Sequence, residues 1–152
     1  MAPKAPRRQE RIFAFKVLYG LTFTAPAAPT LADLQSAFLQ SPDRPESQEP
    51  GFGFAWELAY GVWTQQAAID ASLARLSDNW RVDRMGRVEL TILRLAIYEL
   101  SHRGDVPPKV VLNEAIELSR AFGDEKSRSF VNGVLDAAAK AHEAGTLLQN
   151  NA

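Results

Sequence analysis

Three arginines are the residues best placed to do chemistry. Arg7, Arg8 and Arg11 stand at the start of a segment whose later residues repeat with helical period. On a helix Arg7 and Arg11 are four apart and Arg8 and Arg11 three apart, so the three project over one broad patch. Guanidinium groups hold phosphates through paired hydrogen bonds. Tyr19, two turns beyond Arg11, is placed to stack on a nucleobase. Cations at a helix amino end oppose its macrodipole, a conflict that an external anion relieves. An ordinary charged helix start with a core tyrosine gives the same spacing, so both readings stand at this point.

The remaining polar candidates point away from catalysis. His102 and His142 fall at polar ends of helical segments and read as solvated surface residues. Gly51-Phe52-Gly53 has no strand before it and no Lys-Ser/Thr after it, so it is no phosphate loop. Glu114 and Glu117 share a helix face, and paired carboxylates can do acid–base work or bind metal. A second Glu-rich helix with its spaced histidine is missing, so they read as capping or ion-paired carboxylates. Asn132-Gly133 disfavours a helix interior. It reads as close helix contact at Gly133 with a buried amide bond from Asn132, direct ligand contact being the alternative. Cysteine is absent, which excludes disulfides, a thiolate nucleophile and Cys-ligated zinc, and is compatible with a reducing cytoplasm. The expectation is a chain without catalytic residues, metal or cofactor.

These residues need elements to hold them. The 152 residues are 46% apolar, enough to bury a core without metal or disulfide support. No run of eighteen apolar residues occurs, so no membrane span is expected, and the amino terminus lacks the apolar stretch of a signal peptide. The net charge of −1 hides an asymmetry. Residues 1–11 carry four cations against Glu10, a local +3, so the remainder carries −4. A localised anion-binding end is implied rather than a general polyanion binder.

Helical spacing runs from Arg7 until Pro26 and Pro29 end it. Ala14, Val17, Leu18 and Leu21 form one face; Ile12, Phe15 and Tyr19 form a second stripe. Thr30-Leu-Ala-Asp33 reads as a capping box opening a short helix to about Gln40. Ser41 to Pro50 reads as an exposed loop. A long helix is expected from Gly51 or Phe52 through Leu76, with Gly61 inside it marking close approach of another helix. Asp83 is expected to cap a helix that is apolar on nearly every side over 88–100, hence central. Val106-Pro107-Pro108 leads into a further helix ending at Gly123, and Asp124 caps the last one. No strand is predicted: the fold class is an all-α compact helical bundle.

Specific pieces of this sequence resemble a known family. They are Arg7-Arg8-x-x-Arg11 with Leu18-Tyr19, Ile92-Leu-Arg-Leu-Ala-Ile-Tyr-Glu-Leu100, Asn113-Glu-Ala-Ile-Glu-Leu118 after Val106-Pro107, and Phe130-Val-Asn-Gly-Val-Leu-Asp136. Together they resemble the NusB transcription antitermination family over most of the chain, residues 25–50 contributing almost nothing. The resemblance implies about seven helices in two three-helix subdomains sharing a core. It places them at about 7–78 and 83–143 in a single domain, with tails 1–6 and 144–152. It implies binding of boxA RNA of nascent ribosomal transcripts together with the ribosomal protein NusE, within a complex of other Nus factors and RNA polymerase, in the cytoplasm. It carries Arg7, Arg8, Arg11 and Tyr19 over as RNA-binding, with Lys126 beside them, and Glu89 as partner-binding. Two departures stand out: Lys126 replaces an acid frequent in relatives, and Ala68 stands where some carry a tyrosine near RNA. A homodimer is compatible with the sequence. Two rival readings are the RNA-binding domain of a ribosomal RNA cytosine methyltransferase, cut from its catalytic domain, and a helical adaptor without RNA contact.

Overall fold

The computed structural model describes residues 6–24, 30–77 and 85–148. Six helices are found among them, against the expected seven or so, and no strand: α1 (Arg7–Thr24), α2 (Leu31–Gln40), α3 (Phe54–Leu76), α4 (Arg87–His102), α5 (Pro108–Phe122) and α6 (Glu125–Glu143). Two compact units divide inside α3, between Trp63 and Thr64. No helix among the described residues is long and apolar enough to cross a membrane.

The first unit is organised by aromatic side chains. α1 buries Phe13, Ala14, Phe15, Val17, Leu18 and Leu21. Phe13 meets Phe38 of α2 edge-on at 4.8 Å between centroids, and Phe38 meets Trp56 of α3 edge-on at 5.3 Å. This geometry suits the ring quadrupoles, and Phe38 so ties three helices together. The capping box forms as read: the Thr30 hydroxyl accepts from the Asp33 N–H, and the Asp33 carboxylate accepts from the Thr30 N–H. The Trp63 indole donates to the Thr30 carbonyl at 2.8 Å, pinning α3 to the start of α2. Between α2 and α3, Arg44 braces the connection by donating to the Leu39 and Gln48 carbonyls. α3 starts at Phe54, later than expected, because Gly51 and Gly53 each turn the chain at φ +93°.

The second unit is built around α4. From Thr91 to Leu100 every residue but Arg94 is buried. α5 and α6 both pack on it and on each other. Its one cationic interruption is answered by Asp70 of α3, which accepts two hydrogen bonds of 2.8 Å from the Arg94 guanidinium. The Ser72 hydroxyl and Arg75 guanidinium of α3 donate to the Leu147 carbonyl, latching the segment after α6. α5 carries Pro108 in its first turn, as expected. Asp83 lies outside the described residues; the residue before α4 is Gly86, whose backbone is extended.

One sequence reading is overturned. Asn132 and Gly133 are both exposed on α6, and a Cβ added at Gly133 would meet nothing within 4 Å. No close helix contact explains this glycine and no buried amide explains Asn132. The close approach falls at Gly123 instead, where a Cβ would lie 2.8 Å from Ser127 Cβ and 3.0 Å from the Ser119 carbonyl oxygen. Gly61 is buried within α3.

Opposite outcomes are expected for two substitutions measured by urea unfolding. Leu93 is fully buried, so Leu93→Ala should destabilise by about 2–5 kcal/mol. Gly133→Ala fills open space on a helix and should stabilise by about 1 kcal/mol. Destabilisation by Gly133→Ala would show that the glycine has a packing role after all.

Candidate functional site

The sequence-expected residues gather in two places, one in each unit. In the first unit the arginines separate. Arg7 and Arg8 are exposed, whereas Arg11 is only 4% exposed. The expected three-arginine surface is therefore a two-arginine surface with a buried third guanidinium. The reason is the face on which each residue falls. Arg11 lies among Phe13, Ala14 and Phe15 on the inward side, and its guanidinium carbon sits 5.1 Å from the Phe54 ring centroid. The Arg7 guanidinium lies over the same ring at 4.0 Å. Cation–π attraction to an aromatic ring is strongest when the pair is shielded from water, so Phe54 anchors Arg11 and steers Arg7 together.

Tyr19 is half-buried. Its ring stacks on the buried Phe15 at 5.7 Å and 9° and meets the edge of Phe23 at 5.1 Å and 87°. Phe23 is 56% exposed. The tyrosine is thus the middle rung of an aromatic row running along α1 from core to surface. Rings flank it on both sides along the helix, which limits its free area for a base and holds it in place.

In the second unit Glu89 and Lys126 line one cleft of about 590 Å³, with Met85, Gly86, Asp124, Ser127, Ser129 and Phe130. The sequence reading had set them in different roles; the fold brings them together. Glu89 is the third residue of α4 and half-buried. Its carboxylate accepts from the Ser127 hydroxyl and folds over Gly86, where a Cβ would collide with it. The Ser127 N–H donates to Asp124 Oδ1 at 2.8 Å. Ser127 therefore links the cap of α6 to the first turn of α4, and Gly123 makes the tight passage that allows it. The same N–H holds the Asp124 carboxyl below the ordinary carboxylate value, with the Lys126 charge acting in the same direction. Lys126 itself is exposed at the start of α6. Two carboxylates, one cation and the edges of Phe130 and Met85 suit a mixed polar and apolar surface of another protein. Ser127 was missed by sequence reasoning. Its cap is legible from the Asp124-x-x-Ser127 spacing, but its contact with a residue 38 positions away has no local signal.

The other polar candidates stay apart. His102 is exposed and stacks on Tyr98, and His142 is half-buried. Glu117 pairs with Arg120 at 3.1 Å. Ala68 is exposed. Among the described residues no group of acidic or histidine side chains could hold a metal ion.

The sequence profile of the NusB family matches residues 8–140. A transcription antitermination protein NusB of Oleidesulfovibrio alaskensis is 57% identical over 93% of this chain and 92% of its own length. That of Myxococcus xanthus is 42% identical over 89% and 95%. Among solved structures, NusB of T. maritima superposes with a TM-score of 0.76 at 31% identity, covering 92% of this chain and 94% of that one. The NusB of a crystal structure of the antitermination factors NusB and NusE with double-stranded RNA superposes at 0.71 with 27% identity, over 89% and 96%.

The Asp124 cap carries a pH signature. Its carboxyl titrates lower in the folded chain than its ordinary value of 3.8. Its contribution is thus fully present above about pH 4 and is lost as pH falls through the lowered value. Asp124→Ala should melt below the wild type at pH 7, and the gap should narrow as pH falls below about 4 through the lowered value. A gap that stays constant with pH would show that the carboxylate charge is not what caps α6.

Proposed function

The chain belongs to the NusB family, and from that premise we propose that it acts as a transcription antitermination factor. It binds boxA RNA of nascent ribosomal transcripts together with the ribosomal protein NusE, as part of a complex with other Nus factors and RNA polymerase. The observation that carries the reading is family membership over residues 8–140, joined to a basic, aromatic-lined first helix on a chain of net charge −1. The setting is the cytoplasm, where transcription takes place, and the role is binding rather than turnover.

Each named residue has a part in this reading. Arg7 and Arg8 hold phosphates, Arg7 being kept in place by the Phe54 ring. Tyr19 offers the edge of a rigid aromatic row to a base or a partner side chain. Arg11 supports them from within. Glu89, oriented by Ser127, meets the protein partner at the second unit's cleft, and Lys126, exposed at the rim of that cleft, is the cation that the second unit offers to RNA.

RNA binding by the chain with NusE, titrated against salt, tests this. Each phosphate neutralised on a single strand contributes about −0.7 to the log–log salt slope. Replacing both Arg7 and Arg8 with Ala should lower the slope's magnitude by about 1.4 and weaken binding to all sequences. Arg11→Ala should instead lower the melting temperature. Wild-type slope and affinity in the double variant would remove the basic head from the RNA site. For the partner surface, Glu89→Lys should weaken association with NusE in calorimetry while the chain stays folded; unchanged affinity would take Glu89 out of the interface.

A further inference from the structure

The turn before α3 holds three features that the family reading leaves unused. Phe52 is 75% exposed, more than any other large apolar side chain among the described residues. It stands between Gly51 and Gly53, both at φ +93°, a backbone that L side chains rarely adopt. Gln48 is only 8% exposed, and its Oε1 is buried without a hydrogen-bond partner. That atom faces the Phe52 turn, since a Cβ added at Gly53 would lie 3.5 Å from it. The Gln48 backbone is fully engaged, its N–H donating to the Pro45 carbonyl and its own carbonyl accepting from Arg44. Only the side-chain oxygen is left over. A buried, unsatisfied acceptor is costly, and a small shift of the Gly51–Gly53 turn would open it to an N–H donor from outside.

The surroundings select the kind of ligand. Phe54 follows Phe52 by two residues, a span of at most about 7 Å, and carries the exposed Arg7 guanidinium over its ring. Arg8 is exposed on the same first turn of α1. An aromatic face, an amide able to pair with a base edge, and cations beside them are the parts of a single-stranded nucleic-acid site. Glu49, exposed in the same turn, disfavours a phosphate at the ring and favours the neutral face of a base.

We propose that Phe52 and Gln48 form a nucleobase subsite, in which one unpaired base stacks on the Phe52 ring and donates an N–H to the Gln48 amide while Arg7 and Arg8 hold flanking phosphates. The paired glycines are needed to present the ring clear of the core. The subsite deepens the RNA-binding reading above and rests on it.

Binding of labelled single-stranded boxA RNA by the full chain with NusE tests the subsite. Phe52→Ala should weaken binding about 5- to 150-fold with the salt slope unchanged. Phe52→Trp should retain affinity, and Phe52→Leu, apolar but without a π face, should fall with alanine. Gln48→Met should weaken RNA binding while leaving the melting temperature unchanged or raised, because it removes an unsatisfied buried acceptor. A structural role for Gln48 would lower the melt instead. Wild-type affinity in Phe52→Ala, or full affinity in Phe52→Leu, overturns the subsite and leaves the family reading standing. Loss of NusE affinity in Phe52→Ala without RNA present assigns the ring to a protein contact and also overturns it. A wild-type chain with NusE that fails to bind boxA RNA sinks both.

Discussion

A helix that is apolar on nearly every side has to be surrounded, and α4 imposes this on the second unit. Its enclosed stretch from Thr91 to Leu100 exposes no apolar face to water, so α5 and α6 must both lie on it. Such enclosure makes every polar exception expensive unless it is paired. Arg94 meets the Asp70 carboxylate in a two-bond fork, and the Thr91 hydroxyl returns to the Arg87 carbonyl. Glu89 sits two residues before this stretch, where the enclosure gives out. There a charged side chain is affordable and remains reachable. The cleft at Glu89 is thus a consequence of where α4 emerges from its neighbours.

How Glu89 is held follows from the same packing. Gly123 leaves room for Ser127 at the start of α6, and Ser127 meets both Asp124 and Glu89. A hydroxyl donating to a carboxylate is a charge-assisted bond of fixed direction, so the chain itself orients the carboxylate. A group fixed in this way would need less ordering if a partner docked there.

What could be read from the sequence divides along the range of the interaction. Local signals held. The capping box at Thr30, the proline opening α5, the Asp124 cap and the burial of α4 depend on residues within a few positions of each other. Signals that need the direction of a face did not hold as well. Spacing set Arg7, Arg8 and Arg11 side by side, but Arg11 falls on the inward side of α1, against Phe54 more than forty residues away. Asn132-Gly133 went wrong for a related reason. A poor helix former shows only that something outweighs propensity, and packing is one of several such things. The glycine that packing does require, Gly123, looked like an ordinary helix end.

The charge distribution then constrains how a polyanion can be held at all. The chain is acidic outside its first eleven residues, yet charges further apart than about 8 Å are largely screened at physiological salt. The acidic remainder therefore opposes RNA weakly, and the local field at the start of α1 decides. That field rests on few groups, since burial of Arg11 leaves Arg7 and Arg8 as the arginines exposed there. Were these two to hold phosphates, they would give a shallow salt dependence and little affinity by themselves. Non-ionic contacts would then have to supply the rest, through aromatic faces and through a surface shared with a partner protein. A chain of this charge is suited to recognise RNA jointly and selectively, and poorly suited to coat it.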